Sequence, residues 1–133
     1  MFNFSTMRYG NFCGPGPYDE KGFKKSPINA VDAACKIHDI GYRDCGLVGL
    51  PALKAALPGS QNSCVVPSDV TLIKDLDDVI ENPNTPTGQR QIARVIRGYF
   101  GLKTKMVRPE KKLDFSNWLK DKEEDTQTKR DSQ

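Results

Sequence analysis

The chain has 133 residues, 37% of them apolar, enough for one domain with one core and too few for two. No run approaches the roughly 20 uninterrupted apolar residues of a membrane-spanning helix, and Met1 to Tyr9 lacks the apolar stretch of an export signal, so a soluble protein is expected. A formal charge of +3 is too small to call for a specific nucleic-acid partner, although Arg90, Arg94, Arg97, Lys103, Lys105 and Arg108 gather positive charge in a region that would suit anionic lipid.

Residues 8–25 hold Gly10, Gly14, Gly16 and Gly22 with Pro15 and Pro17, a density that predicts an ordered loop without helix. A first long helix is expected over about 26–43, with Ser26 as N-cap and Pro27 at the first helical position. Residues 46–67 read as a connector with a short apolar piece around Leu53 and Leu57. Ser68 then caps a second helix over about 68–81, in which Asp69, Leu72, Ile73, Leu76, Val79 and Ile80 follow the i, i+3, i+4, i+7 rule. After a turn at 82–88, Ile92, Val95, Ile96, Tyr99 and Phe100 give a third helix, about 87–101, its apolar face. Leu113, Phe115, Trp118 and Leu119 suit a last docking segment, so one domain over 1–119 is expected, followed by a mobile polar tail over 120–133. Four cysteines are compatible with two disulfides in an oxidising compartment, and equally with free thiols or a zinc site.

His38 is the only histidine, which concentrates any acid–base chemistry at one position. Asp39 follows about 100° round the helix, so the two side chains share a cavity and point at different targets. The dense glycines of Tyr9 to Gly16 let backbone carbonyls turn inward. Those of Phe12, Gly14 and Gly16, with both oxygens of Asp39 and water, would make the oxygen shell that calcium requires. The plain alternative is a Gly-Pro turn near a surface aspartate. Asp69 lies on the apolar stripe of the second helix, where a carboxylate needs a partner, and His38 is the candidate; alternatively it merely complements the positive end of the helix. Tyr42 is one turn beyond His38 on the same face and either reaches that carboxylate or packs in the core.

In order, Tyr9-Gly10-(x)2-Cys13-Gly14-x-Gly16 and then Asp32-(x)2-Cys35-(x)2-His38-Asp39-(x)2-Tyr42 resemble the calcium loop and active-site helix of the secreted phospholipase A2 superfamily. Ala34, Gly41 and Asn11 stand where secreted animal members usually carry cysteines. That reduced set, with the early Gly-Pro-Gly and Ser68-Asp69-(x)2-Leu72-Ile73, looks more like the phospholipase A2 domains of parvovirus-type capsid proteins, which generally lack the loop-to-helix disulfide. The resemblance implies a mainly α fold: two long antiparallel helices braced by a disulfide and the loop, the calcium loop (9–16) before the first, and a further C-terminal helix. It implies a Cys13–Cys35 bridge, with Cys45 and Cys64 the remaining pair.

The implied roles are His38 as base, Asp69 orienting it, Tyr42 in support, and Phe12, Gly14, Gly16 and Asp39 as calcium ligands. The implied activity is calcium-dependent hydrolysis of the sn-2 ester of glycerophospholipids, releasing fatty acid and lysophospholipid, with a phospholipid surface as partner. Phe2, Phe4, Met7 and the basic third helix are candidates to meet that surface, core packing being the alternative for most of them. The setting implied is extracellular, or a virion in which a parent capsid protein breaches a membrane. Two rivals are a zinc-stabilised binding module using Cys13, Cys35, His38 and Cys45, and an inactive lipid- or receptor-binding protein of the same fold.

Overall fold

The computed structural model describes residues 2, 3, 5 and 7–106. Phe4, Arg108, the docking segment around Leu113 to Leu119 and the polar tail therefore lie outside the described residues. The chain opens with a two-residue antiparallel ribbon, β1 (Phe2–Asn3) against β2 (Arg8–Tyr9), and enters the glycine loop directly from β2.

The density of glycine and proline does not exclude helix throughout 8–25, because Asp19 caps a single turn, α1 (Glu20–Phe23), by accepting the Gly22 N–H at 2.9 Å. Arg43 holds this turn against the next helix by pairing with Glu20 and lying over the Phe23 ring. That next helix, α2 (Ala30–Asp44), starts three residues later than the Ser26–Pro27 signal predicts. Asn29 is the cap, accepting the Asp32 N–H at 3.0 Å. Ser26 is kept outside because its carbonyl accepts from the Asn11 side chain and the Ile28 N–H turns to the Asp32 carboxylate.

The connector contains α3 (Leu50–Ala55) and a 3-10 turn (Ser63–Val65) that leads straight into α4 (Val66–Glu81). Ser68 is thus not the cap of α4 but lies in its first turn, and Pro67 sits at the start, where a missing N–H costs nothing. The last helix, α5 (Thr87–Lys105), runs one turn past the predicted end.

The end of α2 meets the start of α4 through His38, Tyr42 and Asp69, so the two run antiparallel. Arg90 and Lys103 bind opposite ends of α4, so α5 is antiparallel to α4 in turn. Between them lies the main core, with Val31, Ala34, Leu72, Leu76 and Ala93 almost wholly buried. Each large aliphatic side chain there contributes about 1.5–3 kcal/mol. Ser68 packs so close to Gly41 that a Cβ on Gly41 would lie 2.0 Å from its hydroxyl oxygen, which is why α2 accepts a glycine mid-helix. Disulfides join Cys13 to Cys35 and Cys45 to Cys64. With all four sulfurs so paired, the zinc-ligand set of Cys13, Cys35, His38 and Cys45 has no thiolates to offer.

Candidate active site

The site is built on α2, whose periodicity turns Cys35, His38 and Tyr42 inward on one face. One turn earlier, Asp32 is fully buried and accepts the backbone N–H groups of Asn11, Phe12 and Ile28 at 2.9–3.1 Å. Those bonds compensate the buried carboxylate and hang the glycine loop from the helix. Gly10 is required at the point of contact: its φ is +64°, and a Cβ there would meet the Asp32 carboxyl at 2.6 Å. The Cys13–Cys35 disulfide fixes the loop a second time, one turn of helix further on. Asp32 belongs to the motif read from the sequence, but its part as an anchor emerges only from these contacts.

His38 is 7% exposed, its ring packed between Tyr42 (centroids 4.4 Å apart) and Phe100 (4.7 Å, edge-on). Its Nε2 lies 2.6 Å from Oδ1 of Asp69, which also accepts the Tyr42 hydroxyl at 2.7 Å. Both expected partners of Asp69 are thus present. The third is a surprise. Lys103 is 5% exposed and its ammonium binds Oδ2 of Asp69, so this lysine of the basic cluster is a core residue. The signal was available in its spacing: Ile92, Ile96, Phe100 and Lys103 continue one helical stripe, and a lysine on an apolar stripe needs a buried anion.

Burial opposes ionisation of Asp69, but His38 and Lys103 outweigh it and hold the carboxyl below its usual range. An ionised Asp69 only accepts, so Nε2 of His38 carries the proton and Nδ1 is the basic nitrogen. Burial also opposes a charged His38, yet Asp39 and Asp69 together raise its pKa above 6.5. Burial and Asp69 push the Tyr42 hydroxyl far up, so it remains a donor at any physiological pH.

Asp39 is placed differently. Its Oδ1 lies 3.8 Å from Nδ1 of His38, beyond hydrogen-bond reach, and its buried Oδ2 has no hydrogen-bond partner among the described residues. Burial pushes this carboxyl up to about 6, against the counteracting pull of His38 and Arg8. The Arg8 side chain runs beneath Gly14 and Gly16 and donates to the Asn11 carbonyl. No cluster of three or more His, Cys, Asp or Glu side chains suits a metal among the described residues, so any cation here would need backbone oxygens beside Asp39.

Phe12, Gly14, Gly16, His38, Asp39 and Tyr42 all line one cavity of about 450 Å3, within the usual range for small-molecule sites. Its other walls are mostly apolar, from α3 and α5 among others. Val95 and Tyr99, read from the sequence as part of a packed face, are exposed (71% and 39%) and belong to this cavity, as do the exposed Phe2 and Met7. Val95 and Tyr99 therefore stand apart from the packed face, and the core-packing alternative does not hold for Phe2 and Met7. Ile92, Ile96 and Phe100 do pack on the core.

The arrangement offers a buried, oriented imidazole facing an apolar cleft, with a neighbouring carboxylate oxygen that has no hydrogen-bond partner among the described residues. A family model for the phospholipase A2-like domain matches residues 5–46, which include the loop, α1 and α2 but end before Asp69. No curated protein and no solved structure matches the chain. Over residues 5–46, which supply both the glycine loop and the His38–Asp39 pair, the chain is similar to the phospholipase A2-like domain.

Proposed function

We propose that this protein hydrolyses the sn-2 ester of glycerophospholipids with the help of a calcium ion. The observation that carries the reading is the 2.6 Å contact of His38 Nε2 with Asp69, which leaves Nδ1 as base beside an apolar cavity able to receive an acyl chain. Nδ1 takes a proton from a water as that water adds to the ester carbonyl, and returns it to the departing glycerol oxygen. Asp69 keeps the ring in the right tautomer and steadies the imidazolium, as an aspartate does in a hydrolase triad. Tyr42 holds Asp69 in turn.

The Asp39 oxygen that lacks a partner among the described residues supports the cation, since a buried carboxylate oxygen without donors suits a metal ligand. Phe12, Gly14 and Gly16, on the wall of the same cavity, would contribute carbonyls beside Asp39. When bound, calcium supplies positive charge for the substrate phosphate and for the oxyanion of the transition state.

Phe2, Met7, Val95 and Tyr99 combine exposure with a place in the cavity, the layout of an enzyme that draws a lipid from a surface. Among the described residues, no helix is long and apolar enough to cross a membrane. The basic third helix is a weaker contributor than its composition promises. Arg90 binds the carbonyls of Ile80 and Asn82, Arg97 pairs with Asp77, and Lys103 is buried on Asp69. Two disulfides favour an extracellular setting over a reducing one, and the loop-to-helix bridge favours a secreted enzyme over a virion-borne domain.

The test is release of fatty acid and lysophospholipid from phosphatidylcholine vesicles, with calcium and with excess chelator. Hydrolysis that requires calcium is expected. Undiminished activity in chelator would remove the metal from the mechanism, and absence of hydrolysis in both would remove the enzyme.

A further inference from the structure

Lys103 is a costly residue to bury. A lysine ammonium leaves water only where an anion receives it, and packing between α4 and α5 would be served as well by methionine. Here the anion is the carboxylate that orients the sole imidazole of the chain. Oδ1 of Asp69 accepts from two donors, His38 Nε2 at 2.6 Å and the Tyr42 hydroxyl at 2.7 Å, and Oδ2 is taken by Lys103. The three donors come from α2 and α5, and the acceptor from the first turn of α4. A carboxylate bonded on both oxygens from two sides cannot rotate to offer His38 its other edge.

We propose that Lys103 is a positioning residue for the site. By holding Oδ2, it fixes Asp69 so that Oδ1 receives the Nε2 proton of His38 and Nδ1 stays turned to the cavity as the base. The effect on turnover rests on the hydrolytic reading above; the effect on the imidazole proton does not. Without Lys103, Oδ2 would remain buried and bare, and the carboxylate would turn to find another donor. Small displacements of a base cost far more in rate than in substrate binding.

Because His38 is the only histidine, its Nε2 proton gives a single imidazole signal in the downfield proton NMR spectrum. The native protein, Lys103→Met and Lys103→Arg are compared by that signal and by kcat and KM on phosphatidylcholine vesicles. The native signal is expected to be lost or clearly shifted in Lys103→Met, with kcat about tenfold lower or more and KM within about twofold. Lys103→Arg, which keeps the charge and the donors, is expected to recover both. A lysine that merely fastened α5 would lower the melting temperature of Lys103→Met and leave the imidazole signal and kcat of the folded protein unchanged, which would overturn the proposal. Should Lys103→Met fail to fold, Lys103→Gln, uncharged and one bond shorter, is expected to hold Oδ2 less firmly, shifting the imidazole signal and lowering kcat; both unchanged from the native values in the folded variant would overturn the proposal. If the native protein hydrolyses no lipid, the proposed function falls, and the NMR comparison still decides the part of Lys103.

Discussion

Two carboxylates flank one imidazole, and their surroundings drive them in opposite directions. Asp69 is surrounded by donors and held ionised; Asp39 is buried, with one oxygen unsatisfied among the described residues, and pushed up to about 6. Such a split is how neighbouring acids acquire different tasks. It also makes a prediction for the metal-free protein. The folded pKa of Asp39 exceeds the unfolded value of 3.8, so folding favours its protonated form. The stabilisation is full below about pH 4 and is lost as pH rises through 6, a swing on the order of 3 kcal/mol. Urea unfolding in chelator between pH 4 and 7 should therefore show Asp39→Asn gaining on the native protein as pH rises. A constant difference between the two would mean that burial does not strain this carboxylate. At this scale the sequence was informative: His38, Asp39, Asp69 and Tyr42 were all legible, because a lone histidine and an aspartate on an apolar stripe are chemical anomalies. Phe12, Gly14 and Gly16 line the same cavity as His38 and Asp39. Lys103 was missed because one lysine among many basic residues looks like a solvated face until its stripe is traced.

The helices were legible from their periods and less so at their ends. Apolar spacing located α4 and α5, since a helix of 16 or 19 residues must bury a continuous stripe. Its caps depend on competition for each N–H. Ser26 lost to Asn29 because the Asp32 carboxylate and the Asn11 side chain hold residues 26–28 outside the helix, and the Asn11 contact reaches across 15 residues of chain. Gly41 shows the same limit. A glycine inside a helix normally weakens it, and replacement by alanine there usually stabilises by about 0.5–1 kcal/mol. Here the sign should reverse. The added Cβ would strike Ser68, one residue before Asp69, so Gly41→Ala is expected to destabilise by roughly 1–3 kcal/mol and to lower hydrolysis as well. Adding Ser68→Gly to the same chain should restore much of both, read by thermal melts and vesicle assays. If Gly41→Ala proves stabilising, the close approach of α2 and α4 is not what the glycine serves.

For the molecule as a whole, the two disulfides divide the labour. Cys45–Cys64 closes a separation of 19 residues next to the smaller core of Tyr42, Ala55 and Val65, whereas Cys13–Cys35 closes 22 and ties the glycine loop to α2. By chain entropy each is worth about 3 kcal/mol. Replacing Cys45 and Cys64 by serine should cost that much stability in urea, and hydrolysis by the folded protein should persist, because His38 and Asp69 are held by other contacts. Replacing Cys13 and Cys35 should cost a similar amount and also weaken calcium binding, measured by calorimetry, since the loop then loses its covalent tie to α2 and keeps only hydrogen bonds such as those to Asp32 and Ser26. Equal effects of the two pairs on calcium would contradict this division. Composition, period and motif determined by themselves that the chain is mainly helical, that His38 is its one candidate for imidazole chemistry, and that a glycine loop stands before it, because these depend on residue type and on neighbours within a few turns. Which cap prevails, why Gly41 is a glycine, and that Lys103 lies behind Asp69 were decided only when the three long helices packed, because each depends on atoms brought together from distant parts of the chain.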